Sequence, residues 1–410
     1  MSTPESPVRR TTIDDVARAA QVSKGAVSFA LNGRPGVADA TRARILAAAD
    51  ELGWTPNASA RSLSTQRALA VGLVVAREPE LLGADPFFSP FIAGIETVLS
   101  GRGHALVLQV PPTADAELDG YRRLAADRRV DGVFLSDLRV DDPRPELLAE
   151  LGLPAVTIGR MPNSQLASVS LDDRPGVAAA VRHLIGLGHR RIANVAGPAQ
   201  FVHGDARQAS WRAVMHEADL PATLAVTADF TASGGATATA ALLDLAEPPT
   251  AIVYANDIMA IAGMSVAASR GVSVPGQLSV TGFDDTELAR HLNPALTTVR
   301  SDPLGWGAAA AQLLLDVIEA AAAPRQRSGR SRTRPPVIHV ELPPAELILR
   351  DSCGPPPGTK APRRVARRRA TPSTESPPTH NTAPPTTQRP KTQRPKTQRP
   401  ETQRTESEKA

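Results

Sequence analysis

With 410 residues, 41% hydrophobic and 21% charged, the chain has material for two or three domains with their own cores, and the balance excludes a wholly disordered or fibrous protein. Its single cysteine, Cys353, excludes an internal disulfide, and no apolar run is expected to span a bilayer, so the expected home is a reducing cytoplasm, at the nucleoid, with no membrane partner. The net charge of +4 is uneven: residues 1–66 hold eight Lys/Arg against six acids, residues 355–410 thirteen against four, and 323–336 five arginines and no acid, which leaves an acidic body between basic ends.

Residues 1–10 read as a disordered lead. Arg9-Arg10 is no export signal, because a polar helix and not an apolar segment follows it. Thr12-Ile-Asp-Asp15 has capping-box spacing, and Ile13, Val16, Ala17 and Ala20 form one apolar helical face. Gln21 and Val22 make a tight connection, after which Ser23 caps a second helix running to about Leu31. Val27, Ala30 and Leu31 point inward there, which leaves Lys24, Gly25, Ser28 and Phe29 outward. A third helix from about Asp39 to Leu52 buries Ile45, Leu46, Ala49 and Leu52 and stops at Gly53. Two short helices with a tight turn, braced by a third, predict a helix-turn-helix over residues 11–54 whose second helix enters the major groove. Asn57 then caps a fourth helix within 55–67, too short to be stable alone.

From Leu69 the pattern becomes apolar runs alternating with helices. Strands are predicted at Ala70–Val75, Ala105–Val110, Gly132–Leu135 and Ala155–Ile158, and again at Arg191–Val195, Ala225–Ala228, Ala251–Tyr254 and Leu278–Gly282. The helices between them fall near Phe91–Leu99, Leu118–Ala126, Glu146–Leu151, Val177–Leu187, Arg207–Glu217, Gly235–Leu245 and Ile258–Arg270. Two such sets predict two α/β lobes with a cleft between them, together spanning 68–353. A basic loop (323–336) precedes a last strand near Val337, and Pro/Thr/Arg-rich residues 354–410, with Thr-Gln-Arg-Pro repeated from Thr387, read as a disordered tail whose charge would add sequence-independent DNA affinity.

Several stretches in this order resemble the LacI/GalR family of bacterial regulators: Thr12-Ile-Asp-Asp-Val-Ala, Val22-Ser, Val27-Ser28, Leu31-Asn32, Thr41-Arg-x-Arg-Ile45, Glu51-Leu-Gly-Trp54 and Pro56-Asn57, then Asp85-Pro-Phe-Phe88, Gly94-Ile-Glu96, His183 to Ile192, Ala196-Gly-Pro198, Ala255-Asn-Asp257, Gly282-Phe-Asp-Asp285 and Leu296 to Arg300. The resemblance covers residue 12 to about residue 350. It implies a periplasmic-binding-protein-like core of two Rossmann-like subdomains, with three chain crossings and residues near 300–320 returning to the first lobe. It also implies a hinge helix that folds on DNA, carrying Asn57 and Ala60, and driving Leu63 as a wedge into the minor groove, where partial unstacking of a base step is physically sound.

The same alignment puts base reading on Lys24, Gly25 and Phe29. Lysine can donate to guanine, glycine allows close approach, and phenylalanine, where the best-known members have arginine, can touch only a thymine methyl or pack. Thr11, Ser23, Ser28, Asn32 and Arg42 are candidate phosphate contacts, each with a solvated surface residue as its bland alternative. For the cleft the resemblance implies Phe87 or Phe88, Arg160, Arg207, Phe230, Asn256 and Asp284. These suit a polyhydroxyl ligand, with sugar favoured over purine, because carboxylate, guanidinium and amide groups each bridge neighbouring hydroxyls while a ring covers an apolar sugar face. One of the neighbours Asp284 and Asp285 is expected to cap the next helix. Gly186-Leu-Gly-His189 precedes a strand and so reads as a helix end, not a dinucleotide loop; His183, His189 and His203 lack metal-ligand spacing, and no catalytic constellation appears.

The expectation is therefore a homodimeric, effector-controlled repressor of a near-palindromic operator, with no cofactor, metal or catalytic site. The rival class, an α/β solute binder or enzyme with an incidental helical N-terminus, is disfavoured by the intact set from Thr12 to Leu63. A milder variant keeps the core for dimerisation alone.

Overall fold

The structure is a computed structural model that describes residues 11–31, 35–54, 67–77, 79–161, 164–323 and 337–358. Three helices, α1 (Ile13–Ala19), α2 (Lys24–Leu31) and α3 (Asp39–Glu51), close on a small core of Val16, Ala20, Val27, Ile45 and Ala49. The capping box forms around Asp15, whose carboxylate accepts from the Thr12 amide at 2.9 Å and the Thr12 hydroxyl at 2.7 Å. Ser23 Oγ accepts from the Ala26 amide at 3.1 Å, the predicted cap of α2. Two expectations fail on α3. Leu46 and Leu52 are exposed, and Ala48 is buried with Ile45 and Ala49, because a helix of 13 residues beside two shorter ones buries only the narrow stripe at i, i+3 and i+4.

The larger part is two doubly wound lobes. In chain order the elements are β1 (Ala70–Val74), α4 (Pro79–Ala84), α5 (Phe88–Leu99), β2 (Ala105–Gln109), α6 (Ala114–Ala126), β3 (Gly132–Leu135), α7 (Arg144–Glu150), β4 (Ala155–Ile158), β5 (Ala167–Ser170), α8 (Arg174–Gly186), β6 (Ile192–Ala196), α9 (Val202–Glu217), β7 (Ala225–Thr227), α10 (Ala232–Leu243), β8 (Ala251–Tyr254), α11 (Asp257–Ser269), β9 (Ser279–Phe283), α12 (Glu287–His291), β10 (Thr297–Arg300), α13 (Pro303–Ala322), β11 (His339–Glu341) and β12 (Glu346–Ile348). The first sheet runs β11-β5-β4-β3-β1-β2, all parallel. The second runs β12-β10-β9-β8-β6-β7, with only the β10–β12 pair antiparallel.

The lobes thus have six described strands each, twelve where nine were predicted, and β5, β10 and β12 are the unpredicted ones. The strand predicted near Val337 is β11, which starts two residues later and is followed by β12. β5 and β10 escaped because Ala-Ser-Val-Ser and Thr-Thr-Val-Arg lack an apolar run. Their burial is made possible by hydrogen bonds: in β5 the Ser168 hydroxyl pairs with His339 Nδ1 at 2.8 Å, and in β10 Thr298 Oγ1 donates to Asp257 at 2.5 Å and the Thr297 amide to Ser352 Oγ at 2.8 Å. The chain crosses between lobes after β5, after β10 and after β11, as the resemblance implied.

The middle crossing delivers α13 to the first lobe, where Leu314, Leu315 and Ile318 join Val71, Leu73, Phe91, Ile95 and Phe134 in one core. Against expectation, this 20-residue helix is long and apolar enough to cross a bilayer by length and composition. Here it is a core helix, lying on α5 so closely that glycine is needed on both sides. A Cβ on Gly94 would sit 2.0 Å from the Leu304 carbonyl oxygen, and one on Gly307 2.0 Å from that of Phe91. Gly94→Val is expected to destabilise the protein by about 2 kcal/mol or more, as forced overpacking does. Urea unfolding with an unchanged midpoint would mean that the two helices can move apart freely.

Candidate functional site

The outward face of α2 carries the predicted reading residues. Lys24, Gly25 and Phe29 are exposed and Ser28 half-buried. Lys24 Nζ lies 2.7 Å from Asp14, a surface pair that contributes little and can be exchanged for another acceptor. A Cβ on Gly25 would meet only Ser23 Oγ, at 3.7 Å, so packing does not demand the glycine. Two expected phosphate contacts have partners inside the domain: Thr11 Oγ1 donates to the Leu52 carbonyl at 3.1 Å, and Arg42 Nη1 to that of Ala30 at 2.5 Å. Asn32, Asn57, Ala60 and Leu63, and with them the expected hinge, lie outside the described residues.

Between the lobes lies a cavity of about 280 Å³, near the lower end for small-molecule sites. Phe87, Arg160, Arg207, Phe230, Asn256 and Asp284 all line it. Phe88 does not: it is 2% exposed and sits in the first-lobe core, while Phe87 turns to the cleft and meets Trp306 edge-on at 5.7 Å. The alternative left open between these two rings is thereby decided for Phe87.

Arg207, on α9, is held from three sides. Its Nε donates to Asp173 at 2.6 Å, its Nη1 to the Ala255 carbonyl at 2.7 Å, and its guanidinium lies 3.5 Å over the Phe283 ring. Asn256 caps α11 by accepting from the Met259 amide at 3.0 Å and donates to the Phe230 carbonyl at 2.9 Å. Asp284 follows β9. Burial pushes its carboxyl well above the usual carboxylate range, against the lowering pull of Arg207, and Asp257, Asp85 and Asp173 add to the rise. Neither neighbour caps α12, contrary to expectation. Thr286 stands at that position, and Asp285 is buried on Arg350 and on Arg300, the latter at 2.7 Å.

Residues that the sequence did not flag complete the cleft. Arg77, just past β1, donates to Asp137 at 2.6 Å and to Asp85 at 2.5 Å. His203 is sandwiched between Phe201 and Phe230, with centroids 5.6 and 5.5 Å away, and burial drives its pKa down to about 3, so the ring is neutral. Position at the carboxyl ends of parallel strands was the available signal for Arg77 and Asp137. Three non-glycine lining residues, Asp137, Phe230 and Asp284, have φ of +48°, +67° and +114°, backbone strain of the kind that gathers at binding sites. His189, by contrast, is structural: its ring bonds Thr250, Ser279 and the Gly354 carbonyl at 2.8–3.0 Å. Gly188, at φ +104°, ends the helix before it, as read from the sequence.

A family profile for bacterial regulatory proteins of the lacI family matches residues 12–57, and one for a periplasmic binding protein-like domain matches 181–353. The transcriptional regulator CelR of Thermobifida fusca is 38% identical over 317 residues, covering 76% of this chain and 92% of that protein. The chain belongs to the LacI family. The HTH-type transcriptional repressor PurR of Photobacterium profundum is 32% identical over 312 residues, covering 75% of this chain and 92% of its own length. Among solved structures, a CelR–cellobiose complex superposes with a TM-score of 0.62 at 34% identity, and a lac repressor dimer bound to operator and an anti-inducer with 0.71 at 26%; each covers 84% of this chain and 100% of its own. As a member of the family, the protein is a transcriptional regulator with a DNA-binding helix-turn-helix and a two-lobed core.

The raised Asp284 carboxyl has a stability consequence. The fold binds this proton more tightly than the unfolded chain, so its contribution is full below the ordinary carboxylate pKa and is lost as pH rises toward the folded value. Asp284→Asn, which tolerates positive φ, is expected to gain in Tm relative to the parent from about pH 5 upward. A constant difference between the two across pH 5–8 would mean that Asp284 is ionised throughout.

Proposed function

We propose that the protein is a transcriptional repressor that binds a near-palindromic operator as a homodimer and is controlled by an uncharged sugar in the interlobe cleft. The observation that carries the effector class is charge compensation. Arg77 is matched by Asp85 and Asp137, Arg207 by Asp173, and Arg174 by Asp172, so three of the four lining arginines already have carboxylates. Among the described lining residues, Arg160, which is exposed, is the one arginine left to favour an anion. An anionic ligand would therefore meet a cleft with no net attraction, whereas hydroxyls can donate to Asp173 or accept from Arg207, and a protonated Asp284 can do both. Phe87, Trp306 and Phe230 offer flat apolar faces for the rings of a sugar. The relative solved with cellobiose supports the same class.

On the DNA side, two copies of α2 in successive major grooves require a two-fold site. Lys24 would read a guanine, Phe29 would touch a thymine methyl, and Ser23, Ser28, Thr11, Asn32 and Arg42 would fix register on phosphates, the last and Thr11 after giving up their internal partners. Asn57, Ala60 and Leu63 would form the hinge that opens the minor groove. The action is cytoplasmic, on chromosomal DNA.

The test is a titration on DNA from upstream of the protein's own gene, in excess competitor, repeated with neutral sugars, their phosphates and nucleosides. One competitor-resistant palindromic site, released by a neutral sugar, is the expected result. A nucleoside or a sugar phosphate as the only effective compound would overturn the effector class, and complete loss to competitor would overturn autoregulation at that site. Leu63→Ala is expected to weaken operator binding by at least ~10-fold, about 1.4 kcal/mol, with nonspecific binding unchanged. Equal loss of both would refute the wedge.

A further inference from the structure

The three crossings after β5, β10 and β11 lie at one edge of each sheet, since β11 and β5 border the first and β12 and β10 the second. The lobes also touch far from that edge, across the cleft, where no covalent connection requires it. The loop after β3 meets the segment after β6: the Val140 amide donates to the Gln200 carbonyl at 3.0 Å, the Val202 amide donates to the Leu138 carbonyl at 2.9 Å, and Arg139 pairs with Phe201 as an antiparallel bridge. Val202, at the start of α9 in the second lobe, packs into the apolar cluster of Leu135, Leu138 and Leu148 in the first. Arg77 lies 5.8 Å over the Phe201 ring from the first-lobe side.

What holds the first-lobe half of this contact is a buried ion network that plays no part in lining the cleft. Glu117, on α6, has a fully buried side chain and accepts from Arg144 at 2.7 Å and from Arg139 at 2.5 Å. Arg144, 1% exposed in its side chain, also donates to Asp142 at 2.6 Å and to the Asp137 carbonyl at 2.8 Å. Asp142 in turn accepts from the Arg139 amide at 3.1 Å. Asp137 and Asp141 sit at positive φ between these anchors. A desolvated network of two acids and two arginines is poor evidence of stability, because apolar residues of the same volume would serve as well or better. Its geometry does one specific thing. It fixes the loop that offers residues 138–140 to the other lobe and aims the Asp137 carboxylate at Arg77 inside the cleft.

We infer that residues 138–140 and 200–202 form a releasable latch opposite the hinge, and that Glu117, through Arg139 and Arg144, is the positioning residue that sets how firmly the latch closes. Two backbone hydrogen bonds and one apolar contact are a weak enough seal to open and close thermally. Because His203 and Phe230 continue the stack from Phe201, a ligand against Phe230 bears on the same segment that carries the latch. Effector occupancy and latch closure then bias one two-state element, which is the condition for coupling between sites.

The inference rests on the repressor reading, and its test separates the two. Arg139 and Phe201 form the non-hydrogen-bonded pair of their bridge, the closely spaced kind that a disulfide can span. Arg139→Cys with Phe201→Cys, built with Cys353→Ser so that the pair stands alone, locks the latch on oxidation. Glu117→Gln, in a separate protein with both partners intact, loosens it. Operator affinity of the full chain is measured for each, with the reduced double variant as control. The expected result is a change of about five-fold or more on oxidation, reversed by reductant, and a change in the opposite direction for Glu117→Gln at temperatures where that variant remains folded. Opposite signs are what a merely structural role for Glu117 would not give. Unchanged affinity after quantitative cross-linking, or shifts of the same sign in both proteins, would overturn the latch. An unmodified protein with no specific DNA site would instead overturn the repressor reading, and the latch with it.

Discussion

Arg207 is the residue on which the two lobes agree. Its guanidinium is held by Asp173, in the crossing from the first lobe, by the Ala255 carbonyl at the end of β8, and by the face of Phe283 at the end of β9. Those three partners come from three separate strand ends, so the contact exists only when the crossing and the second sheet are in register. A buried guanidinium left without them would cost several kcal/mol. Two more of the cleft's arginines follow the same rule, Arg77 between Asp85 and Asp137 and Arg174 on Asp172. Compensation of this kind leaves directional hydrogen bonds on offer and little net field, which is the ground for proposing a hydroxyl-bearing ligand and not a phosphate.

The fold supplies two places where small free energies decide the outcome. On α2, Lys24 pairs with Asp14 at the surface, and such a pair yields readily to another acceptor. In the core, the lobes are joined by three crossings at one edge and by a short backbone contact at the other. Three crossings at one edge and a weak opposing contact are the arrangement a ligand could shift, provided it binds two arrangements of the lobes differently. The close approach of Gly94 to the Leu304 carbonyl and of Gly307 to that of Phe91 packs α5 tightly on α13 within the first lobe.

Much of this was legible in the sequence, and the limits have physical reasons. The parallel strands announced themselves as apolar runs because both faces of such sheets are covered. β5 and β10 were silent because their buried hydroxyls are satisfied by partners far away in the chain, Ser168 by His339 and Thr298 by Asp257. On α3, apolar content suggested Leu46 and Leu52 where the geometry buries Ala48. In the cleft, six of the seven expected positions line the cavity, but their placement came from resemblance and not from periodicity, and adjacent rings such as Phe87 and Phe88 cannot be told apart by pattern alone. Arg77, Asp137, His203 and the Glu117 network were invisible for a simpler reason: each is defined by a partner in another element, and no local spacing records that.

The claim at the centre of this account is that the cleft and the reading helix belong to one coupled equilibrium, and reciprocity tests it most directly. Once operator and effector are in hand, the effector's Kd is measured calorimetrically with the protein free and with it saturated by operator, beside the operator's Kd with and without effector. The account predicts that the two ratios are equal, at about five-fold or more, since linkage between two sites must run both ways. An effector Kd unchanged by operator would contradict it, and would make the cleft a binding site with no hold on the DNA.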